Sequence, residues 1–148
     1  MTSDREVRRE RGRAINGLSE NGRIALRGTK AVTDRDLEAM LEVAHPDIEF
    51  LTHPGFVGQE PLYCGHAGVR RWLKALEPWE TFQVDLEEVI DTSEDTVVTV
   101  SHVVARGAGS GIDVEMRTYD VVTIVGGRIR KRCNYESRED ALRAARSS

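Results

Sequence analysis

Residues 112–136 read IDVEMRTYDVVTIVGGRIRKRCNYE. Two runs with the alternation of strands meet at Gly126-Gly127, a two-residue turn that tolerates positive φ, so the stretch predicts a β-hairpin. In the second run Arg128, Arg130, Arg132, Asn134 and Glu136 share one face. Ile129, Lys131, Cys133 and Tyr135 share the other, because side chains alternate along a strand. The first of these faces is wholly polar, yet it holds an amide and a carboxylate among the arginines. Either it meets plain solvent or it lines a polar cavity.

Upstream, FQVDLEEVI (82–90) and TVVTVSHVVARG (96–107) are two more strands, with Gly107, Gly109 and Gly111 loosening the following hairpin. The second half of the chain is therefore a long antiparallel meander. Helices precede it. One runs from an N-cap at Ser19 to about Val32, with a thin apolar face of Ile24, Gly28, Ala31 and Val32. A second, capped by Thr33 or Asp34, carries Leu37, Met40, Leu41 and Ala44 at helical spacing, and Pro46 stops it. A short strand IEFLTHP (48–54) and a Gly- and Pro-containing loop (55–66) lead to a third helix, with Val69, Trp72, Leu73 and Leu76 on its apolar stripe. After Ser137 a short helix closes the chain, and Ser137 with Asp140 has capping-box spacing. Helices followed by a meander predict an α+β fold, with the helices packed on one face of the sheet.

The 148 residues suit one domain, placed at 19–148. Residues 1–18 form an arginine-rich extension that reads as a tail, a helical continuation or a basic arm. Net charge is −4, from 21 lysines and arginines against 25 acidic residues. That balance makes nucleic acid an unfavoured partner. No stretch is apolar enough to span a membrane. Cys64 and Cys133 are too few for a disulfide framework and lack zinc-site spacing, which favours the cytoplasm. His45, His53, His66 and His102 have no spacing that gathers a metal, so no metal site and no cofactor is expected.

Four strings, DRDLEAMLEVAHPDIEF (34–50), YCGHAGVRRWL (63–73), GSGIDVEMRTYDVVTIVGGRI (109–129) and NYESREDAL (134–142), together with the element order, resemble the nuclear transport factor 2-like superfamily. That group includes SnoaL-like polyketide cyclases, ketosteroid isomerases and limonene epoxide hydrolases. The resemblance, running from about Ser19 to Ala145, implies a cone: a curved antiparallel sheet wrapped around the N-terminal helices and enclosing a pocket. It implies that Arg132, Asn134 and Glu136 face that pocket, with Arg128 and Arg130 at its wet end. The fold hosts many functions, so activity rests on the site.

Three positions bear on activity. Where the resembling isomerases keep a general-base aspartate before a proline, this chain has His53 before Pro54. Where they keep a protonated aspartic acid, it has Asp120, whose same-face neighbours Met116, Thr118, Val122 and Ile124 are mostly apolar; desolvation there would raise a carboxyl pKa. Gly28 stands where those isomerases place a tyrosine. The aspartate with which limonene epoxide hydrolases activate water is matched by Asn134, and an amide is no general base. The remaining catalytic pair is His53 and Asp120. Arg132, Asn134, Met116 and Thr118 are the candidate substrate contacts, joined by Phe56 and Tyr63 from the loop over the mouth. Each has a plainer reading: His53 closes a strand end, Asp120 bonds a neighbouring strand, and Arg132 neutralises Asp120 or Glu136. Trp72 reads as core packing.

Two functions follow. One is a cofactor-independent acid–base enzyme of the isomerase, cyclase or ring-opening type, acting on a compact apolar or polycyclic molecule. The other is a non-catalytic ligand-binding or scaffold module. Under both, the resemblance implies a homodimer through the outer sheet face, where Val100, His102, Val104, Tyr119 and Val121 offer a patch.

Overall fold

The computed structural model describes residues 17–53, 58–109 and 111–147. In chain order the elements are α1 Glu20–Thr33, α2 Leu37–Val43, β1 Ala44–Leu51, β2 Leu62–Cys64, α3 Gly65–Ala75, β3 Trp79–Asp91, β4 Thr96–Gly107, β5 Asp113–Val125, β6 Arg128–Tyr135 and α4 Arg138–Ser147. The basic extension at 1–16 lies outside the described residues. So do Pro54, Gly55, Phe56 and Val57.

Ser19 caps α1 as expected, accepting from the Gly22 N–H at 3.1 Å. The helix ends where Arg35 takes a left-handed φ of 53°. Asp36 N–H then bonds back to the Ala31 carbonyl, and Arg35 N–H to that of Val32. This closing turn consumes the residues expected to cap α2. Asp36 caps it instead, and α2 begins at Leu37. Ala44 and Pro46, expected in and after that helix, belong to β1. Pro46 is tolerated because the pairing of β1 with β6 is interrupted between Ala44 and Glu49.

The six strands form one sheet in the order β2-β1-β6-β5-β4-β3. β3 to β6 are the expected meander. β2, an element the sequence pattern does not announce, adds antiparallel to β1. β1 lies parallel to β6, joining the first strand to the last. Gly126 and Gly127, at φ 61° and 77°, make the β5–β6 turn.

The sheet curves around α1, α2 and α3 without closing, which is the cone the resemblance implied. Ile24 and Ala25 of α1 pack with Val43, Ile48, Val69, Val97, Val122, Ile124 and Ile129. A second cluster gathers Val32, Tyr63, Trp72, Leu76, Phe82, Val103 and Ala105. Burial of these side chains, each worth roughly 1.5–3 kcal/mol, is the main stabilising contribution. The expectation of helices on one face needs correction. α4 lies on the convex side, where Ala141 and Ala145 pack with Val98, Tyr119 and Val121. Its alanines let it sit close, and its polar residues keep the outer surface wet.

A second correction decides the site. β6 does not alternate throughout. Opposite β5, Ile124 pairs with Ile129 but Thr123 pairs with Lys131, so Arg130 is an extra residue in β6. This bulge switches faces. Ile129 is buried in the core, and beyond the bulge Arg132 and Asn134 point the same way. The polar face foreseen along the whole strand is inward only in its second half. Arg130 instead reaches Glu49 at 3.5 Å.

Candidate functional site

The inward row across three strands runs Thr99 of β4, Asp120 of β5 and Asn134 of β6, joined by direct register. Val122 faces Arg132 one step away. Asp120 is wholly buried, with 0% exposure. Arg132 Nη2 and Nε both donate to its Oδ2, at 2.7 and 3.1 Å, and Asn134 Nδ2 donates to its Oδ1. Three N–H donors converging on two oxygens suit a carboxylate that accepts. The expectation of an isolated acid in an apolar setting is therefore replaced by a clamped ion pair. The guanidinium also lies over the Phe50 ring, 5.6 Å from its centroid, and Phe50 meets Trp72 edge-on at 5.0 Å.

These side chains wall two inner cavities. The first, about 30 Å³, is lined by Thr29, Phe50, Trp72, Thr118, Asp120, Arg132 and Asn134 among others. The second, about 40 Å³, lies deeper toward α2 and includes Met40, Ile48, Tyr63 and Ile129. Val32, Phe50, Trp72 and Arg132 belong to both walls. At roughly 10–15 Å³ for one water molecule, each has room for at least two. On the other side of Thr118 and Asn134 opens a vestibule of about 280 Å³, lined also by His53, Met116, Arg117, Tyr135 and Glu136.

Of the residues foreseen, Asp120, Arg132, Asn134 and Thr118 meet in one wall. His53 and Met116 line the vestibule instead, so His53 and Asp120 face different cavities. His53 Nε2 sits 3.0 Å from Glu136 Oε1, giving Glu136 a partner other than Arg132. Tyr63 is no lid residue. It lies on β2 at 2% exposure, and its hydroxyl accepts from the Glu60 N–H at 2.9 Å. The reason is the added strand, which turns Tyr63 inward beside α3. Phe56 falls outside the described residues. Burial pushes the Tyr135 phenol up to about 12, with the adjacent Cys133 side chain adding to the shift.

Gly28, where the resembling isomerases carry a tyrosine, lines the second cavity. A Cβ there would stand 3.2 Å from Ile129 Cδ1, so the bulge that sends Ile129 inward takes up that space. Two functional candidates were missed from the sequence. Phe50 gave no signal beyond strand alternation. Trp72 sat on an apolar helical stripe, where a core residue and a cavity wall look alike. Its position is fixed by Gly68, whose Cβ replacement would come within 2.9 Å of the Tyr63 backbone, so α3 lies tight on β2. The hydroxyls of Thr99 and Ser101 and the Trp72 Nε1–H are buried without hydrogen-bond partners.

Among the described residues no group of three His, Cys, Asp or Glu side chains is placed to hold a metal. Among the same residues no helix is long and apolar enough to cross a membrane.

The model of the SnoaL-like domain matches residues 25–132. No curated protein matches the sequence. Among solved structures, TerC co-crystallised with polyporic acid is 21% identical, covering 84% of this chain and 99% of its own, with a TM-score of 0.70. An NTF2-like protein of unknown function from Burkholderia pseudomallei is 18% identical over 85% of this chain and 97% of its own, TM-score 0.71. A Mycobacterium tuberculosis protein in complex with estradiol-17beta-hemisuccinate is 16% identical over 82% and 96%, TM-score 0.67.

Proposed function

This chain belongs to the SnoaL-like domain family, and from that membership we propose that it is a small-molecule pocket protein with acid–base chemistry at the Asp120 wall. The observation carrying the reading is a fully buried carboxylate, held by Arg132 and Asn134, in the wall of an interior cavity. Similar folds crystallised with polyporic acid and with a steroid ester support a ligand class of compact, largely apolar ring molecules bearing oxygen.

The substrate enters by way of the vestibule, past Thr118 and Asn134, and presents its oxygen-bearing end to Arg132 in the inner cavity. Asp120 then acts as the base. Its remaining lone pairs take a proton from carbon beside a carbonyl, or from a hydroxyl. Arg132 holds the carboxylate in place and stabilises negative charge as it develops on the substrate oxygen. Asn134 orients the carboxylate and does not itself accept a proton. His53, with Glu136 beside it, handles a proton at the vestibule end. Isomerisation, cyclisation and ring opening all fit this set without a cofactor. The two free cysteines, Cys64 and Cys133, suit a cytoplasmic setting.

The test is a thermal-shift screen of small ketones, phenols and lactones, wild type beside Asp120→Asn. A ligand at a hundred times its Kd adds about 2.7 kcal/mol. Shifts in wild type that shrink in the variant, followed by turnover that the variant loses, support the reading. A silent screen with both proteins folded, or equal turnover in the variant, overturns it.

A specific observation favours a second reading, a non-catalytic scaffold. The inner cavities of about 30 and 40 Å³ are far below the several hundred Å³ of a usual ligand site. In that case the Asp120 cluster fills its own cavity. Homodimerisation is proposed under both readings, through the part of the convex face around His102 and Val104 that α4 leaves open; Val100, expected in the same patch, is buried at 7% exposure. A monomer by sedimentation at micromolar concentration would contradict it.

A further inference from the structure

Trp72 is 6% exposed, and its Nε1–H has no hydrogen-bond partner. A buried indole N–H usually finds one, because an unpaired buried donor has lost its water and gained nothing in exchange. Its location sets it apart from the other unpartnered groups. Trp72 lines both inner cavities, and so does Arg132. Arg132 spends Nε and Nη2 on Asp120 and has Nη1 left over. Two side chains that each keep an N–H without a partner in the protein, one neutral and one cationic, thus share the wall of the two cavities. The ring of Phe50 touches both of their side chains.

We propose that Trp72 Nε1–H is a specificity-determining donor, which together with Arg132 Nη1 holds one acceptor oxygen of the ligand. This rests on the pocket reading above and narrows its substrate class to single-ring or fused two-ring molecules with a carbonyl or phenolate oxygen. The donor comes from α3. The tyrosine of the resembling isomerases would come from α1, where Gly28 leaves room only for Ile129. A site with an unpaired donor also discriminates. It accepts the oxygenated ring and loses affinity for the same ring without oxygen, because the indole N–H then stays buried and unmatched.

The chain has two tryptophans, Trp72 and Trp79, so the indole region of a ¹H–¹⁵N spectrum is simple, and Trp72→Phe assigns it. The probes are matched pairs, cyclohexanone with cyclohexane and 1-indanone with indane, added at millimolar concentration. The expected result is a downfield move of the Trp72 indole signal with each ketone and not with its hydrocarbon, Trp79 staying still. Trp72→Phe should bind the ketones about fivefold more weakly and the hydrocarbons equally well. If ketones shift backbone signals of β5 and β6 while the Trp72 signal stays fixed, the donor role is overturned and the pocket reading stands. The same holds if the variant keeps its preference for ketones. If no probe binds wild type, both fall. Should the variant not fold, the wild-type indole signal alone decides.

Discussion

Strand β5 carries Asp120 on its concave face and Arg117 on its convex face, and each belongs to an arginine–carboxylate pair. The inner pair, Asp120 with Arg132, is 0% and 16% exposed. The outer pair, Arg117 with Glu87, is 52% and 17% exposed at a similar 2.8 Å. The bond lengths alone would rank the two as equals. Their surroundings do not. Water solvates Arg117 whether or not Glu87 is present, so the pair gains little. Asp120 has given up its water entirely, and without Arg132 it would be a bare charge in a dry wall. The concave pair is thus costly to build and costlier to break, which is the kind of group a site retains for chemistry.

The largest expected effect is at Arg132. Arg132→Leu should lower unfolding stability by about 3–5 kcal/mol in a denaturant titration, because Asp120 stays buried without a counter-charge. Adding Asp120→Val in the same chain should recover most of that loss. If the double variant is as weak as the single, the cost lies in packing and not in charge, and the contrast between the two faces weakens. Next comes Asp120→Asn, at about 1–3 kcal/mol, since the partly exposed guanidinium can still reach water. Calorimetry beside the ligand screen measures it, and a loss as large as that of Arg132→Leu would mean the arginine is as trapped as the aspartate.

The third prediction concerns pH. Tyr135 keeps its proton to about 12 in the folded state, against 10 when unfolded. Raised folded pKa means that the contribution is fully present below pH 10 and is lost as pH rises toward 12. Tyrosinate absorbance should show one phenol ionising late, and Tyr135→Phe should remove that phase. An unchanged titration curve in the variant would assign the late phase elsewhere. The smallest effect is Arg117→Ala, expected to leave the unfolding midpoint close to that of the wild type, with any loss fading in salt. A larger loss would erase the distinction drawn between the faces.

Most of the fold could be read from residue patterns. Ser19, Ser137 and the Gly126-Gly127 turn act through local geometry, and local geometry is what sequence encodes most directly. β2 could not be read, since three residues of strand depend on an edge of β1 to pair with. The place of α4 on the convex side depends on which face has apolar room, and no periodicity reports that. At the site, the inward row of Thr118 and Asp120 followed from alternation. Arg132 and Asn134 do face inward, but not by the unbroken alternation from which that is expected, because the Arg130 bulge interrupts it. Read strictly, the same rule would have turned Ile129 outward. His53 was paired with Asp120 by analogy of position, and the wall of Thr118 and Asn134 stands between their cavities. Trp72 was invisible because burial and function ask for the same residue there.

The parallel joining of β1 to β6 has a consequence in time. Glu49 and Arg130, which it brings together, are 81 residues apart in the chain. Phe50 and Arg132 are register partners in the same ladder. Meander strands can zip from hairpin to hairpin, each closing a short loop, while this ladder must close most of the chain at once. The guanidinium finds its aromatic neighbour only when that closure occurs, so the interior wall should be among the last parts of the molecule to exist during folding. A ligand that needs the finished wall then acts on a single late step. It would slow unfolding by holding the ladder shut and leave the early rate of chain collapse unchanged.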